Sequence, residues 1–316
     1  MDDPIWHALP AGTRRTVDEH LAAGRHVHAT KAIRDASPES PPGIPACMDV
    51  IADRMAELGL LPNGPTPLRA PADGAVAASA AEAYRASREI PIRGLAQWRT
   101  AIAAAAPMAP GRRVLDIGAG TGGFAAAFRE WFGVHVVAVE PDDAMRRLIP
   151  RTTGIEVRDG RAEALPVPDA CADAAWLGSV VHHLTDLAAA AAELRRALRP
   201  GAPVLVRNAF PGRSAGDIRV RFFPETAAAV EGYPTVEQVC EAFATAGFRR
   251  VSLASVPQQN DPTLAEYASR LRREADSKLR ALTDAQYEAG LARLRAAVAE
   301  DPVQPATSWM DLLVLA

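Results

Sequence analysis

The stretch Val114-Leu-Asp-Ile-Gly-Ala-Gly-Thr-Gly-Gly-Phe124 concentrates residue types suited to holding a ligand. Glycines let a backbone turn sharply from strand to helix, and they let a ligand approach the main chain without meeting a Cβ. The helix that follows presents unpaired N–H groups at its start. Gly118, Gly120 and Gly123 have the Gly-x-Gly-x-x-Gly spacing of dinucleotide sites. Glu140 closes the next β-branched run, where a carboxylate can take both ribose hydroxyls of an adenosine cofactor. Turn and acid together predict an adenosine-containing ligand and leave its identity open.

Asp116 bears on that identity. A carboxylate two residues before the first glycine would repel a pyrophosphate. It suits a ligand with an ammonium group and no phosphate, and S-adenosyl-L-methionine (SAM) is such a ligand. The glycine spacing also allows an NAD(P)-dependent oxidoreductase, and a structural cap of the turn is the plain alternative use of Asp116.

At this point the chain resembles the class I SAM-dependent methyltransferases, in the branch of quinone and natural-product methyltransferases. Val114 to Gly122 looks like their first motif, and Val137-Ala-Val-Glu-Pro141 like the second. Asp159 to Asp169 is similar to the segment that runs past the adenine, Ala174 to Leu184 to the fourth strand and its loop, and Leu194 to Leu205 to the next helix, turn and strand. The resemblance covers residues 77–316. It implies a cofactor set of Asp116, Gly118, Ala119, Gly120, Gly122, Glu140, Pro141, Met145, Arg161, Ala162, Glu163 and Ser179. Arg161 departs from the pattern, since many relatives carry Asp there to accept from the adenine amino group, and Arg cannot accept. The main chain around Arg161-Ala162, or Glu163, would have to serve.

Methyl transfer from a sulfonium is an in-line displacement in which alignment supplies much of the catalysis. A base is needed only for a protonated acceptor. His182 and His183 follow the fourth strand, at the carboxyl edge of the sheet, and have the pKa range for that work. Each could instead bond the backbone or pack beside the cofactor. The acceptor is expected to be a small molecule with an O, N or C nucleophile. Tyr84 and Arg88, on the helix before the first strand, and Asn208, Phe210 and Arg221, after the fifth, are the candidate acceptor contacts.

These residues need elements to position them. From about Ala77 helices and strands alternate, which predicts an α/β fold. The resemblance makes it a Rossmann-like, seven-stranded, mostly parallel sheet with helices on both faces. Expected helices run over 77–106, 124–132, 142–149, 187–198 and 235–246, and expected strands over 113–117, 134–140, 155–158, 170–177, 202–208, 249–256 and 309–315. Two helices, 262–281 and 284–300, with Asp284 capping the second, lie in an insert over 258–302 before the last strand. That insert leaves from the active-site edge and is expected to wall the acceptor pocket, or alternatively to form a homodimer contact. Its Arg270, Arg272 and Arg273 could attract an anionic acceptor. Residues 1–61 read as a small helical module with helices over 13–23 and 46–60, and 62–76 as a Pro/Gly-rich linker. A non-catalytic, methyltransferase-like interaction module is a further alternative, with 1–61 as its partner-binding arm.

Composition excludes some classes. The formal charge of -3 and 5% aromatic content disfavour a nucleic-acid partner. No apolar run approaches a membrane span, and no signal peptide is apparent. The three cysteines, Cys47, Cys171 and Cys240, are far apart, and the expectation is a cytoplasmic protein without disulfides or a metal site. His20, His26 and His28 lack metal-ligand spacing and read as a surface cluster.

Overall fold

A computed structural model describes residues 4–22, 26–37, 41–42, 44–58 and 92–316. Tyr84, Arg88 and the linker lie outside the described residues.

The strands are β1 (Arg113–Ile117), β2 (His135–Val139), β3 (Ile155–Arg158), β4 (Ala174–Gly178), β5 (Val204–Asn208), β6 (Arg250–Asp261) and β7 (Ala306–Leu315). They form one seven-stranded sheet in the order β3-β2-β1-β4-β5-β7-β6. The first five are parallel, and β7 is antiparallel to both β5 and β6. The order reverses between β1 and β4, which opens a crevice at their carboxyl ends.

Strand residues alternate between two apolar layers, because side chains of a strand point to opposite faces in turn. Leu115, Ile117, Val137, Leu177 and Val206 pack against the helices Leu187–Ala197 and Val236–Ala244. Val114, Val136, Trp176 and Leu205 face the helices Ala96–Ala105 and Gly123–Phe132. Burial on both faces explains why these strands read as nearly unbroken apolar runs. By the same alternation Asp116 falls on the second face, the one that carries Trp98, Phe124, Phe128 and Trp176. Those rings touch edge to face or tilted, with Phe124 and Trp176 centred 4.6 Å apart.

The N-terminal module is α1 (Pro4–Ala8), α2 (Ala11–Ala22), α3 (His26–Asp35) and α4 (Ile44–Glu57). It has its own core around Trp6, Val17, Leu21, Ile33, Cys47 and Ile51. Arg54 of α4 grips both carboxylate oxygens of Asp18 at 2.7 and 2.8 Å and lies over the Trp6 ring.

Several stretches differ from the sequence reading. The strand expected to stop at Val256 runs on to Asp261, because its pairing with β7 continues through a polar stretch whose Gln258 and Asp261 are buried. Its edge position accommodates Pro257. The helix expected over 262–281 breaks into Leu264–Arg270, a turn at Arg273–Ala275 and Ser277–Arg280. Asp276 drives the break, since its carboxylate accepts from the Lys278 N–H and draws in Arg219 at 2.9 Å. Short helices at Ile218–Phe222 and Ala228–Glu231 were not expected; neither is long enough to display a period. Thr283, not Asp284, caps the helix Asp284–Glu300, through a reciprocal box with Gln286.

The insert builds a second core with the segment after β5, joining Ile218, Phe222, Phe223, Leu264, Leu279 and Leu294. Its arginines are held within the insert and its borders: Arg270 by Asp261 and Arg273 by Asp284, both at 2.5 Å, and Arg272 by neighbouring carbonyls. Gly290 sits where any Cβ would strike the Phe223 ring. Gly290→Ala should therefore destabilise the protein by about 1–3 kcal/mol. Thermal unfolding checks this, and an unchanged Tm would mean that the helix does not pack on Phe223.

Candidate active site

The site starts at the turn after β1. Gly118 and Gly120 adopt φ of 65° and 56°, a region that L side chains rarely enter. At Gly118 a Cβ would collide with Val180, so the glycine turn and the loop after β4 touch at backbone range. At Gly120 nothing stands within 4 Å of where a Cβ would be, which leaves main chain open to a ligand. The Gly118 and Ala119 N–H groups donate to the Val139 carbonyl at 2.8 and 3.1 Å, tying the turn to the end of β2.

Glu140 sits where β2 ends and is 7% exposed. Its Oε2 accepts from the Gly120 N–H at 2.8 Å and its Oε1 from the Asp142 N–H at 2.9 Å. Asp142 in turn caps the helix Asp143–Leu148 by accepting from the Met145 N–H. Arg146 donates to the carbonyls of Glu140 and Pro141, which fixes the turn from behind. Burial raises the Glu140 pKa, partly offset by those N–H donors and by the charge of Arg34.

Asp116 is 2% exposed, and its Oδ2 is buried with no hydrogen-bond partner. Burial beside the aromatic face, reinforced by the charge of Glu140, pushes its pKa up to about 7; a bond from the Ala125 N–H works the other way. Oδ2 is thus a buried polar atom awaiting a partner, and such atoms are uncommon in folded proteins.

Across the crevice, Ser179 holds φ of 59° without being glycine. Such strain gathers at functional sites. Its hydroxyl accepts from Arg207 at 3.1 Å. His182 and His183 follow in a short 3-10 turn, their rings 4.0 Å apart. His182 Nδ1 lies 2.9 Å from Asn208 Oδ1. The Asn208 amide donates its Nδ2–H to the Ala209 carbonyl, so its oxygen is the atom that faces the ring. His182 Nδ1 must then carry the hydrogen, which leaves the Nε2 lone pair as the acceptor. Tyr233 stacks on the same ring at 3.9 Å and 6°.

The structure brings Asp116, Gly118, Gly120, Glu140, Met145, Ser179 and both histidines to one edge of the sheet. Ala162 is buried in the core layer, and Arg161 pairs with Ala164 in a tight turn. Glu163 accepts from the Thr185 N–H and hydroxyl, both at 3.0 Å, and so anchors the histidine loop. Phe210 is fully buried in the main core. Arg221 donates to Gln304 and lies over the Phe222 ring. Asn208 meets His182 directly, a role the sequence did not indicate. Tyr233 and Arg34 were missed altogether: neither stands in a motif, and only the fold brings them to the crevice. Among the described residues no group of His, Cys, Asp or Glu is arranged to hold a metal ion, and no helix is long and apolar enough to cross a membrane.

The raised pKa of Asp116 sets a pH dependence. Between its unfolded value near 4 and its folded value of about 7, the folded protein binds more protons than the unfolded chain. Stability from this group is therefore full below pH 4 and falls as pH rises through 7, by on the order of a few kcal/mol. Denaturant unfolding at pH 5 and pH 8 should show ligand-free wild type losing stability relative to Asp116→Asn. Parallel losses in both proteins would contradict a buried, poorly ionised carboxyl.

The chain resembles known proteins over part of its length. Residues 115–206 match the family model described as a methyltransferase domain. A glycine/sarcosine/dimethylglycine N-methyltransferase of Actinopolyspora halophila is 34% identical over 115 residues, 34% of this chain and 20% of that one. A demethylmenaquinone methyltransferase of Roseiflexus castenholzii is 39% identical over 112 residues, 34% of this chain and 47% of that one. The chain thus spans a fifth to about half the length of these curated relatives. Among solved structures, a protein of Anabaena variabilis described as a methyltransferase from an antibiotic biosynthesis pathway superposes with a TM-score of 0.55, at 19% identity, over 72% of this chain and 99% of that one. Residues 115–206 thus match a methyltransferase domain, and the chain has a Rossmann-like α/β fold shared with methyltransferases.

Proposed function

We propose that the protein transfers a methyl group from SAM to a small-molecule acceptor. The observation that carries this reading is the buried, unpartnered Oδ2 of Asp116 beside the open backbone of Gly120. An ammonium satisfies that oxygen, and a phosphate does not. Asp116 would hold the α-amino group, and the Gly118–Gly120 turn would lie along the methionyl chain. Glu140 would exchange its backbone donors for the ribose hydroxyls. Pro141, Met145 and the segment around Ala162 would lie along the adenine. SAM supplies an activated methyl on a sulfonium, a leaving group that needs no acid.

The remaining chemistry falls to the chain's own side chains. His182 Nε2 accepts the proton of a hydroxyl or amine acceptor, with Asn208 fixing the ring's tautomer and Tyr233 its plane. The resulting imidazolium keeps its Nδ1–H bond to Asn208. We read the insert, which packs on the segment after β5, as the wall of the acceptor site. We read the protein as cytoplasmic, acting without a nucleic-acid or membrane partner.

Calorimetric titration with SAM, S-adenosylhomocysteine (SAH) and NAD tests the central claim. SAM and SAH should bind wild type, lose at least about tenfold in affinity in both Asp116→Ala and Glu140→Ala, and NAD should not bind. NAD binding without SAM or SAH binding would replace this reading with an oxidoreductase. The tautomer is open to a separate check by nitrogen NMR of histidine-labelled protein. His182 should carry its hydrogen on Nδ1 in wild type and become a mixture of tautomers in Asn208→Ala; a wild-type ring protonated on Nε2 would remove it as the base.

A further inference from the structure

The N-terminal module meets the methyltransferase domain at the crevice. α3 lies against the turn Val181–His183. The His28 ring packs on Gly232, the residue before the Tyr233 that stacks on His182. Asp35 lies within the field of Glu163, the residue that anchors the histidine loop. Between these contacts stands Arg34. Its side chain is about nine-tenths buried, at 9% exposure, and its Nη1 donates to the His183 carbonyl at 3.2 Å. Its charge reaches Glu140 on the opposite wall. Its Nε is buried with no hydrogen-bond partner.

A buried guanidinium with an unused donor is costly unless a ligand completes it. With Nη1 on a carbonyl, the edge that carries Nε has the side-on fork geometry that a carboxylate takes. The wall opposite is acidic, through Asp116 and Glu140, and repels an anion wherever no cation intervenes. We propose that the N-terminal module is the roof of the crevice and that Arg34 binds a carboxylate of the bound ligand there.

This rests on the methyl-donor reading for the nature of the ligand. Two sources share the chemistry. One is the methionyl carboxylate of the cofactor, on the carbon whose ammonium faces Asp116. The other is an acid group on the acceptor.

The test titrates SAH and decarboxylated SAH into the full-length wild type, Arg34→Gln and Arg34→Lys. If the cofactor is the source, wild type prefers SAH over the decarboxylated form by at least about tenfold. Arg34→Gln abolishes that preference by weakening SAH alone, and Arg34→Lys restores part of it. If the acceptor is the source, both cofactor forms bind Arg34→Gln as they bind wild type. Benzoate, used as a monocarboxylate probe on SAH-saturated protein, then binds wild type and not Arg34→Gln. Arg34→Gln matching wild type toward all three probes overturns the proposal. Wild type failing to bind SAH at all would instead sink the methyl-donor reading, and the Arg34 assignment with it. Hydrogen exchange on wild type guards against a variant that merely misfolds. SAH should slow exchange in α3 and at Val181–His183 together, and unchanged exchange in α3 would overturn the roof.

Discussion

The site depends on one unfavourable placement, a carboxylate at the end of β1 with an aromatic layer at its back. Trp176, Phe124 and their neighbours exclude water from Asp116, and Glu140 adds like charge. A carboxyl so placed stabilises no part of the empty protein once it ionises. It becomes favourable only when a cation enters the crevice. Much else in the site serves to keep that carboxyl in place: the parallel strands on either side, the glycine turn that caps it and the β2 end to which the turn is bonded.

Around this centre the molecule divides its labour. The parallel half, β1 to β5, carries the glycine turn and Glu140 and is buried on both faces. The antiparallel half, β7 and β6, carries the insert, and the insert completes a core of its own with the segment after β5. The histidine loop follows β4, within the parallel half. It is held by Glu163 from one side, by Asn208 from below and by Arg34 from the N-terminal module above. A loop fixed on three sides needs little reorganisation when a ligand docks beside it.

The parallel half was legible because its signals are local. The glycine turn, the acid that ends β2 and the strands β1, β3 and β5 all follow from residues adjacent in the chain. The antiparallel half was less so. The continuation of β6 through Gln258 to Asp261 depends on a partner strand far along the chain, and its polar residues hide it. The break in the insert turns on Asp276 preferring a local N–H and a distant Arg219 to helical geometry. Phe210 is aromatic and follows a site strand, yet it fills the main core. Asn208 reads as a pocket residue until its amide is seen fixed by Ala209 and turned to His182. Arg34 carries no signal at all, since its meaning lies in what α3 packs against.

Gly118 leaves no room between the cofactor turn and Val180. Two loops in van der Waals register behave as one rigid piece, so a shift in either is transmitted to the other. A displacement of the glycine turn must carry the histidine turn with it, because Val180 and His182 lie on the same short span. The two turns are thereby gauged against each other by a single missing methyl group.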